Sequence, residues 1–269
     1  MKKLMFAAAV AAGLVAFGDG IESANTVGYV SQAVANGKFA MIGVQFEGTD
    51  SNAMTVDALV KGDYTGVDYD ENYAFFGTAP QIQRWTGAGY TYYYYLNDGW
   101  YDNGTEDGDY KAGWADSYGN IATDTLEPGE AVWFKATTGD CTVQTSGQIY
   151  EGETEVICAS GKFTMLANAT PIELDLNDTD QVTYSGLVGV DYDENYAFFG
   201  TAPQIQMWTG AGYTYYYYLN DGWYDNGTED GDYKAGWCDS YGNIVTDKIP
   251  VGRGFWVKAT NGQFTFCFK

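Results

Sequence analysis

The chain carries one long segment twice. Residues 66–123 and 189–246 align without a gap at an offset of 123, and three of the 58 positions differ: Arg84/Met207, Ala115/Cys238 and Ala122/Val245. The likeness continues more weakly on both sides. AVWFKATTG (131–139) faces GFWVKATNG (254–262), and GKFAMI (37–42) faces GKFTML (161–166), one residue out of register. Any fold must therefore be built twice, from a unit of about 110–120 residues, which is the size of a domain and not of a solenoid repeat. The expected division is a first β-domain over 25–145 and a second over 146–269. Core packing alone does not preserve solvent-facing letters, so the near identity reflects either a recent duplication or a need for both copies.

The repeated letters read as all-β. Tyr, Trp, Phe, Val and Thr fill the segments, while Gly, Asp and Asn punctuate them. QIQRW (81–85), TGAG and YTYYYYL (90–96) predict a hairpin, with NDG (97–99) ending its second strand. Leu126-Glu127-Pro128-Gly129 predicts a turn feeding a strand over Ala131–Thr137, and Ile249-Pro250-Val251-Gly252 does the same before Gly254–Thr260. Short helices are expected only at Ser51–Lys61 and as a turn near Asp175–Val182. The expected fold class is all-β, two tandem homologous β-sandwich- or barrel-like domains after a signal peptide.

The first residues, MKKLMFAAAVAAGLVAFGDG, supply the signal peptide: a basic start at Lys2 and Lys3, then an apolar run over Leu4–Phe17, too short for a membrane span. Cleavage is expected after Gly18, or as late as Ala24. The protein is then secreted, extracellular or held at the cell surface, with no membrane span after removal of the leader. Export gives meaning to the four cysteines, Cys141, Cys158, Cys238 and Cys267, which are expected to pair as Cys141–Cys158 and Cys238–Cys267. The formal charge of −23, from 36 acids against 13 bases, excludes nucleic acid as a partner. The acids sit among aromatics, so a disordered acidic tail is not expected.

GKFAMIGV, QIQRWTGAGYTYY and LEPGEAVWFKA, in that order, resemble secreted bacterial β-rich repeat modules of unknown function. Those modules have an opening strand, a W-x-G-x-Y hairpin and an L-x-P-G-x-x-x-W closing strand. SANTVGYV (23–30) is also similar to their leaders. The resemblance implies a secreted or surface β-module and no activity. The first copy departs from the closing motif at Glu130-Ala131, and Arg253-Gly254 fits it better.

Two constellations could carry chemistry. On a strand, Tyr90, Tyr92 and Tyr94 share one face and Thr91, Tyr93 and Tyr95 the other, so both faces are aromatic. One row is expected on the core and the other as a surface platform. Tyrosine offers stacking area and a polar tip at low entropic cost. The candidate ligand-binding residues are Tyr90, Tyr92, Tyr94 and Trp100, with Tyr213, Tyr215, Tyr217 and Trp223 in the second copy. The other constellation is acidic: Asp98, Asp102, Glu106, Asp107 and Asp109, repeated as Asp221, Asp225, Glu229, Asp230 and Asp232. Hard oxygens on a glycine-rich loop suit calcium, although the spacing is not that of an EF-hand. A second acidic group lies at Asp68, Asp70 and Glu71.

The chain has no histidine, which removes serine and cysteine triads and histidine-ligated metals. Two-carboxylate glycoside hydrolysis is compatible with the composition, yet nothing selects an acid pair. The expectation is no enzyme. It is a non-catalytic secreted or cell-surface protein in envelope structure, adhesion or assembly, with self-association or another protein as partner. The alternative is a carbohydrate-binding protein that uses the tyrosine and tryptophan platforms on a surface glycan, with calcium assistance. Asn103-Gly-Thr and Asn226-Gly-Thr match the glycosylation triplet but are read as turns.

Overall fold

The structure, a computed structural model, describes residues 27–48, 54–105, 107–150, 152–228 and 231–269. The proposed signal peptide lies outside the described residues. In chain order the first copy holds β1 (Val27–Val34), β2 (Phe39–Gly43), β3 (Phe46–Glu47), β4 (Met54–Thr55), α1 (Val56–Leu59), β5 (Val60–Gly62), α2 (Phe75–Thr78), β6 (Gln81–Trp85), β7 (Tyr90–Tyr101), β8 (Asp109–Ala115), β9 (Thr125–Leu126), β10 (Ala131–Lys135) and β11 (Cys141–Ile149). The second holds β12 (Thr154–Cys158), β13 (Phe163–Ala167), β14 (Val182–Ser185), a 3-10 turn (Ala197–Gly200), β15 (Gln204–Trp208), β16 (Tyr213–Tyr224), β17 (Asp232–Cys238), β18 (Gly254–Lys258) and β19 (Phe264–Phe268).

The fold is all-β, as the composition predicts. Each copy forms one five-stranded antiparallel sheet, in the order β2-β10-β6-β7-β8 or β13-β18-β15-β16-β17. A smaller sheet packs on it, built on β1 and β11 in the first copy and ordered β12-β19-β14 in the second. The five-stranded sheets are open, running from β2 to β8 and from β13 to β17 without closing, so the architecture is a sandwich and not a barrel. Ile82, Tyr93, Trp114, Val132 and Phe134 of the large sheet meet Val34, Cys141 and Val143 of the small one in the first core. Ile205, Tyr216, Trp237, Phe255 and Val257 meet Phe264, Phe266 and Phe268 in the second. Strand pairing within the first copy reaches Ile149, which lies opposite Phe46.

The two large sheets also pack on one another. Their outer rows share a third core of Met41, Ala131, Trp133, Met165, Ala167 and Trp256, rimmed by Phe39, Trp85, Trp208 and Tyr213. The contacts come in matched pairs. Trp85 Nε1 donates to the Phe163 carbonyl and Trp208 Nε1 to the Phe39 carbonyl, both at 3.0 Å. Gly43 N donates to Gly252 O and Ala167 N to Gly129 O, both at 2.8 Å. Trp85 meets Trp256 edge-on at 5.5 Å, and Trp133 meets Trp208 at 5.6 Å. Exchanging the copies maps each contact onto its partner, so a pseudo-two-fold axis relates them. The sheets stack in four layers, small–large–large–small. Strands β10 and β18 are consequently buried on both faces, which is why AVWFK and GFWVK are apolar at successive positions.

Several expectations need correction. The hairpin forms as predicted, with Thr86 N bonded to Gly89 O at 2.9 Å, but NDG does not end its second strand. Asn97 and Asp98 form a bulge between Leu96 and Gly99, and β7 runs on to Tyr101. The disulfides are absent, and all four cysteines are free. Cys141 belongs to the first core and Cys158 to the second. Cys238 packs with Phe198, Tyr217 and Leu219 on the outer face of the large sheet. Cys267 alternates with Phe264, Phe266 and Phe268 and so points away from the same core through the small sheet, its Sγ 3.8 Å from Glu155 Oε1. The sandwich interior separates the last two, beyond the reach of a disulfide. Among the described residues helix is confined to α1, α2 and the 3-10 turn; α1 falls inside the expected Ser51–Lys61, and the expected turn near Asp175–Val182 forms without a helix, with Asp178 N bonded to Asp175 O at 3.2 Å and Val182 N to Asp178 O at 3.0 Å.

Candidate functional site

The tyrosine row divides three ways. Tyr93 and Tyr95 face the first core, where burial and the Asp124 carboxylate push the Tyr93 phenol up to about 12. On the outer face, Tyr94 is buried because α2 folds over it. Phe76 stacks on its ring at 4.8 Å and 15°, and Phe75 meets it edge-on at 5.2 Å. Phe199 covers Tyr217 in the same way, at 4.9 Å and 16°. Tyr94 and Tyr217 are therefore core residues, 6% exposed, and not open platforms. Tyr92 and Tyr215 are open, each 41% exposed. Tyr90 and Tyr213 stand between them and the inter-copy core, each against a tryptophan, Trp85 or Trp208, at 5.1 Å. Partial burial raises both phenols.

Trp100 and Trp223 are held elsewhere. Each lies over a glycine of its own acidic loop, Gly108 or Gly231, where an added Cβ would come within 2.5 or 2.4 Å of the indole. That glycine has positive φ, so its αL backbone and its missing side chain together seat the loop on the indole. The tryptophans brace the acidic loops and are each 37% exposed.

Strand β17 creates a cleft beside β16. It pairs with β16 only as far as Tyr217↔Cys238 and then turns away. Asp239 fixes that turn. Its Oδ1 accepts from Tyr241 N at 2.8 Å and Asn243 N at 2.9 Å, and its Oδ2 from Asn243 Nδ2 at 3.1 Å. The lane next to Tyr213–Tyr216 is left open as a cleft of about 660 Å³. Phe199, Tyr213 and Tyr215 supply aromatic surface, while Ser240, Thr246 and Asp247 supply oxygen acceptors. No Lys or Arg lines it. Burial first, and the Asp247 carboxylate second, raise the Tyr216 phenol beneath. In the first copy β8 stops pairing at Tyr94↔Ala115, and Asp116, Asn120 and Asp124 repeat the same turn and rim.

The acidic loops use their carboxylates internally. Asp98 Oδ1 accepts from Tyr69 N at 2.7 Å and Asp221 Oδ1 from Tyr192 N at 2.7 Å. Asp102 and Asp225 cap Gly104 N and Gly227 N, each at 2.8 Å. Asp109 and Asp232 accept from the next amide, also at 2.8 Å. Asp107 is exposed. Asn103 Oδ1 holds Thr105 N at 2.9 Å, so the glycosylation triplet is an Asx turn. Among the described residues no three acidic or cysteine side chains converge as a ligand set. Glu106, Glu229 and Asp230 lie outside the described residues.

Two pairs of residues join the surface that sequence reasoning missed. Phe76 and Phe199 are 38% exposed and continue the tyrosine rows outward. Tyr73 and Tyr196, against them at 5.2 Å, both hold φ of 60°. A bulky residue in that region costs about 1–2 kcal/mol, and such outliers gather at working sites. The signal lay in AFFG, repeated unchanged at 74–77 and 197–200, directly after the acidic group at Asp68, Asp70 and Glu71 and its repeat.

No family model, curated protein or solved structure matches the chain.

Proposed function

We propose that the chain is a non-catalytic secreted or cell-surface protein that works by adhesion, with glycan as its ligand. One observation carries the reading: the second copy sets an exposed tyrosine, Tyr215, beside an edge lane rimmed by hydroxyl and carboxylate oxygens, and the first copy repeats those letters around the equally exposed Tyr92. Sugar rings present apolar faces that stack on aromatics and hydroxyls that donate to such acceptors. The absence of Lys and Arg from the lining of the second cleft, and the charge of −23, select against anionic polysaccharides. Duplication fits adhesion, because two weak sites on one chain act at high effective concentration. The proposed leader and the resemblance to secreted modules support an extracellular location in this reading.

The test is affinity electrophoresis through gels loaded with neutral, amino-sugar or anionic polysaccharide. Migration of the wild type should slow in at least one neutral or amino-sugar gel, and Tyr92→Ala with Tyr215→Ala should restore free migration. Unretarded wild-type protein in every gel contradicts the reading.

A further inference from the structure

The cleft in the second copy has one wall of bare backbone. Residues along an antiparallel strand bond alternately to the neighbour on one side and on the other. Two bonds fix the phase of β16: Thr209 N donates to Gly212 O at 2.9 Å, and Tyr218 N to Pro203 O at 3.0 Å. With Met207 opposite Thr214 and Ile205 opposite Tyr216, the even-numbered residues turn their N–H and C=O groups toward β15. Tyr213, Tyr215 and Tyr217 turn theirs the other way. Strand β17 meets them at Tyr217↔Cys238 and goes no further. The N–H and C=O groups of Tyr213 and Tyr215 therefore face the lane with no strand to pair with.

The other sides of the lane differ in chemistry. On the side that β17 vacates stand Ser240, Thr246 and Asp247, from the chain that follows it. The Asp239 carboxylate is taken up by its own turn, so those three side chains are the free acceptors there. The inner side is Tyr216 and Val245, which belong to the second core. The outer side opens beside Tyr215 and Phe199, 41% and 38% exposed. The volume of about 660 Å³ falls in the range of small-ligand pockets, about 300–1,000 Å³.

We propose that this cleft takes an N-acetylated amino sugar, whose acetamido group lies in the lane against the Tyr215 backbone while its ring stacks on the Tyr215 side chain. The proposal rests on the glycan reading of that surface. A secondary amide is planar and trans, so its C=O and N–H point in opposite directions. Its C=O accepts from the Tyr215 N–H on one wall, and its N–H donates to Ser240, Thr246 or Asp247 on the other. The acetyl methyl then meets Val245 on the apolar inner side. A free amino sugar carries an ammonium, which only donates and leaves the Tyr215 N–H unpaired. A hydroxyl offers both functions on one atom and brings no methyl to Val245. An extended peptide carries the same amides, but the lane leaves it only Tyr213 and Tyr215 to pair with, fewer than the roughly 3–10 residues of an ordinary strand.

The experiment follows the tyrosine amides of the isotope-labelled full chain by NMR. In the free protein the Tyr215 amide should exchange with solvent about tenfold faster or more than that of Tyr216, and equal rates would remove the open lane. The chain is then titrated with the trisaccharides of N-acetylglucosamine, glucosamine and glucose, and with a short end-capped alanine peptide. The acetylated sugar should bind about tenfold tighter or more than the other two and slow the Tyr215 exchange at saturation. Ser240→Ala, Thr246→Val and Asp247→Ala together should abolish that preference, and a preference kept in full would overturn the proposal. Equal affinity for glucose and N-acetylglucosamine, or a Tyr215 amide unmoved at saturation, would overturn it and leave glycan binding standing. Tighter binding of the peptide at Tyr215 would overturn it in favour of strand addition. No response to any sugar would overturn both the proposal and the glycan reading.

Discussion

Gly254 lies against Ala131 across the pseudo-two-fold axis, so closely that a Cβ on Gly254 would sit 2.7 Å from the Ala131 Cβ. The two residues are counterparts in the repeat. Gly43 and Ala167 show the same relationship, again with 2.7 Å between an added Cβ and the alanine. A residue near a two-fold axis meets its own copy, and two alanines there would collide. In both cases one copy keeps glycine. The duplicated sequence has therefore diverged where identity would prevent the copies from packing.

Gly254→Ala should destabilise the protein by about 1–3 kcal/mol, the usual range for overpacking a closed contact. Adding Ala131→Gly should recover most of the loss, because the pair is then exchanged and the contact restored. Gly77→Ala is the control, since no atom lies within 4 Å of its added Cβ and its φ is not positive. Urea unfolding of the three variants checks this. Equal effects at Gly77 and Gly254 would contradict the packing.

A second divergence is electrostatic. Arg84 Nη2 donates to both oxygens of Glu130, at 2.9 and 3.1 Å. The counterparts are Met207 and Arg253, so the acid became a base and the base facing it became neutral. Burial lowers the Arg253 pKa, and a second guanidinium beside it would add repulsion. Met207→Arg should cost roughly 1–2 kcal/mol, and Met207→Arg with Arg253→Glu should recover it by recreating the pair of the first copy. A double-mutant cycle in denaturant reads the coupling.

Tyr92→Ala and Tyr94→Ala should behave differently although the residues share one face of one strand. Tyr92 is open, and its loss should change stability by about 0.5 kcal/mol or less. Tyr94 is covered by Phe75 and Phe76, and its loss should cost about 3–5 kcal/mol, as for other buried large aromatics. Thermal melts of the two variants separate them.

The free thiols make an alkaline prediction. Burial first, with nearby carboxylates for Cys141 and Cys238, raises Cys141 to about 11 and both Cys158 and Cys238 to about 12, against 9.0 for an unperturbed thiol. The native state thus retains protons that the unfolded state releases above that value. This contribution to stability is complete below about pH 9 and is lost as pH rises toward 11–12. The urea midpoint should fall over that window, and a flat profile would contradict the burial. At pH 8 a thiol reagent should reach Cys267 before the other three, which should react only on unfolding.

The sequence allows the all-β class, the duplication and the hairpin to be read because each depends on local letters: alternation, TGAG, and the Pro-Gly turns. Two features resisted because their causes are distant. Tyr94 is buried by Phe76, which lies 18 residues upstream, just past the acidic group at Asp68, Asp70 and Glu71. Asn97 and Asp98 look like a strand end, yet Asn97 N finds the Val67 carbonyl at 2.9 Å and the strand continues. The inter-copy face did leave a mark in AVWFK, where Val132 and Phe134 point into the sandwich and Ala131 and Trp133 point out, so that both faces are apolar. The cysteine pairing followed from expected export and an even count, and neither fixes where a side chain points.

The central claim is that Tyr92 and Tyr215 are the working surface of the repeated hairpin. A glycan array probed with the wild type and with the Tyr92→Ala, Tyr215→Ala double variant tests it most directly. The account predicts reproducible binding to neutral or amino-sugar glycans that disappears in the folded double variant. Binding that survives the double change, or an empty array for the wild type, would contradict it.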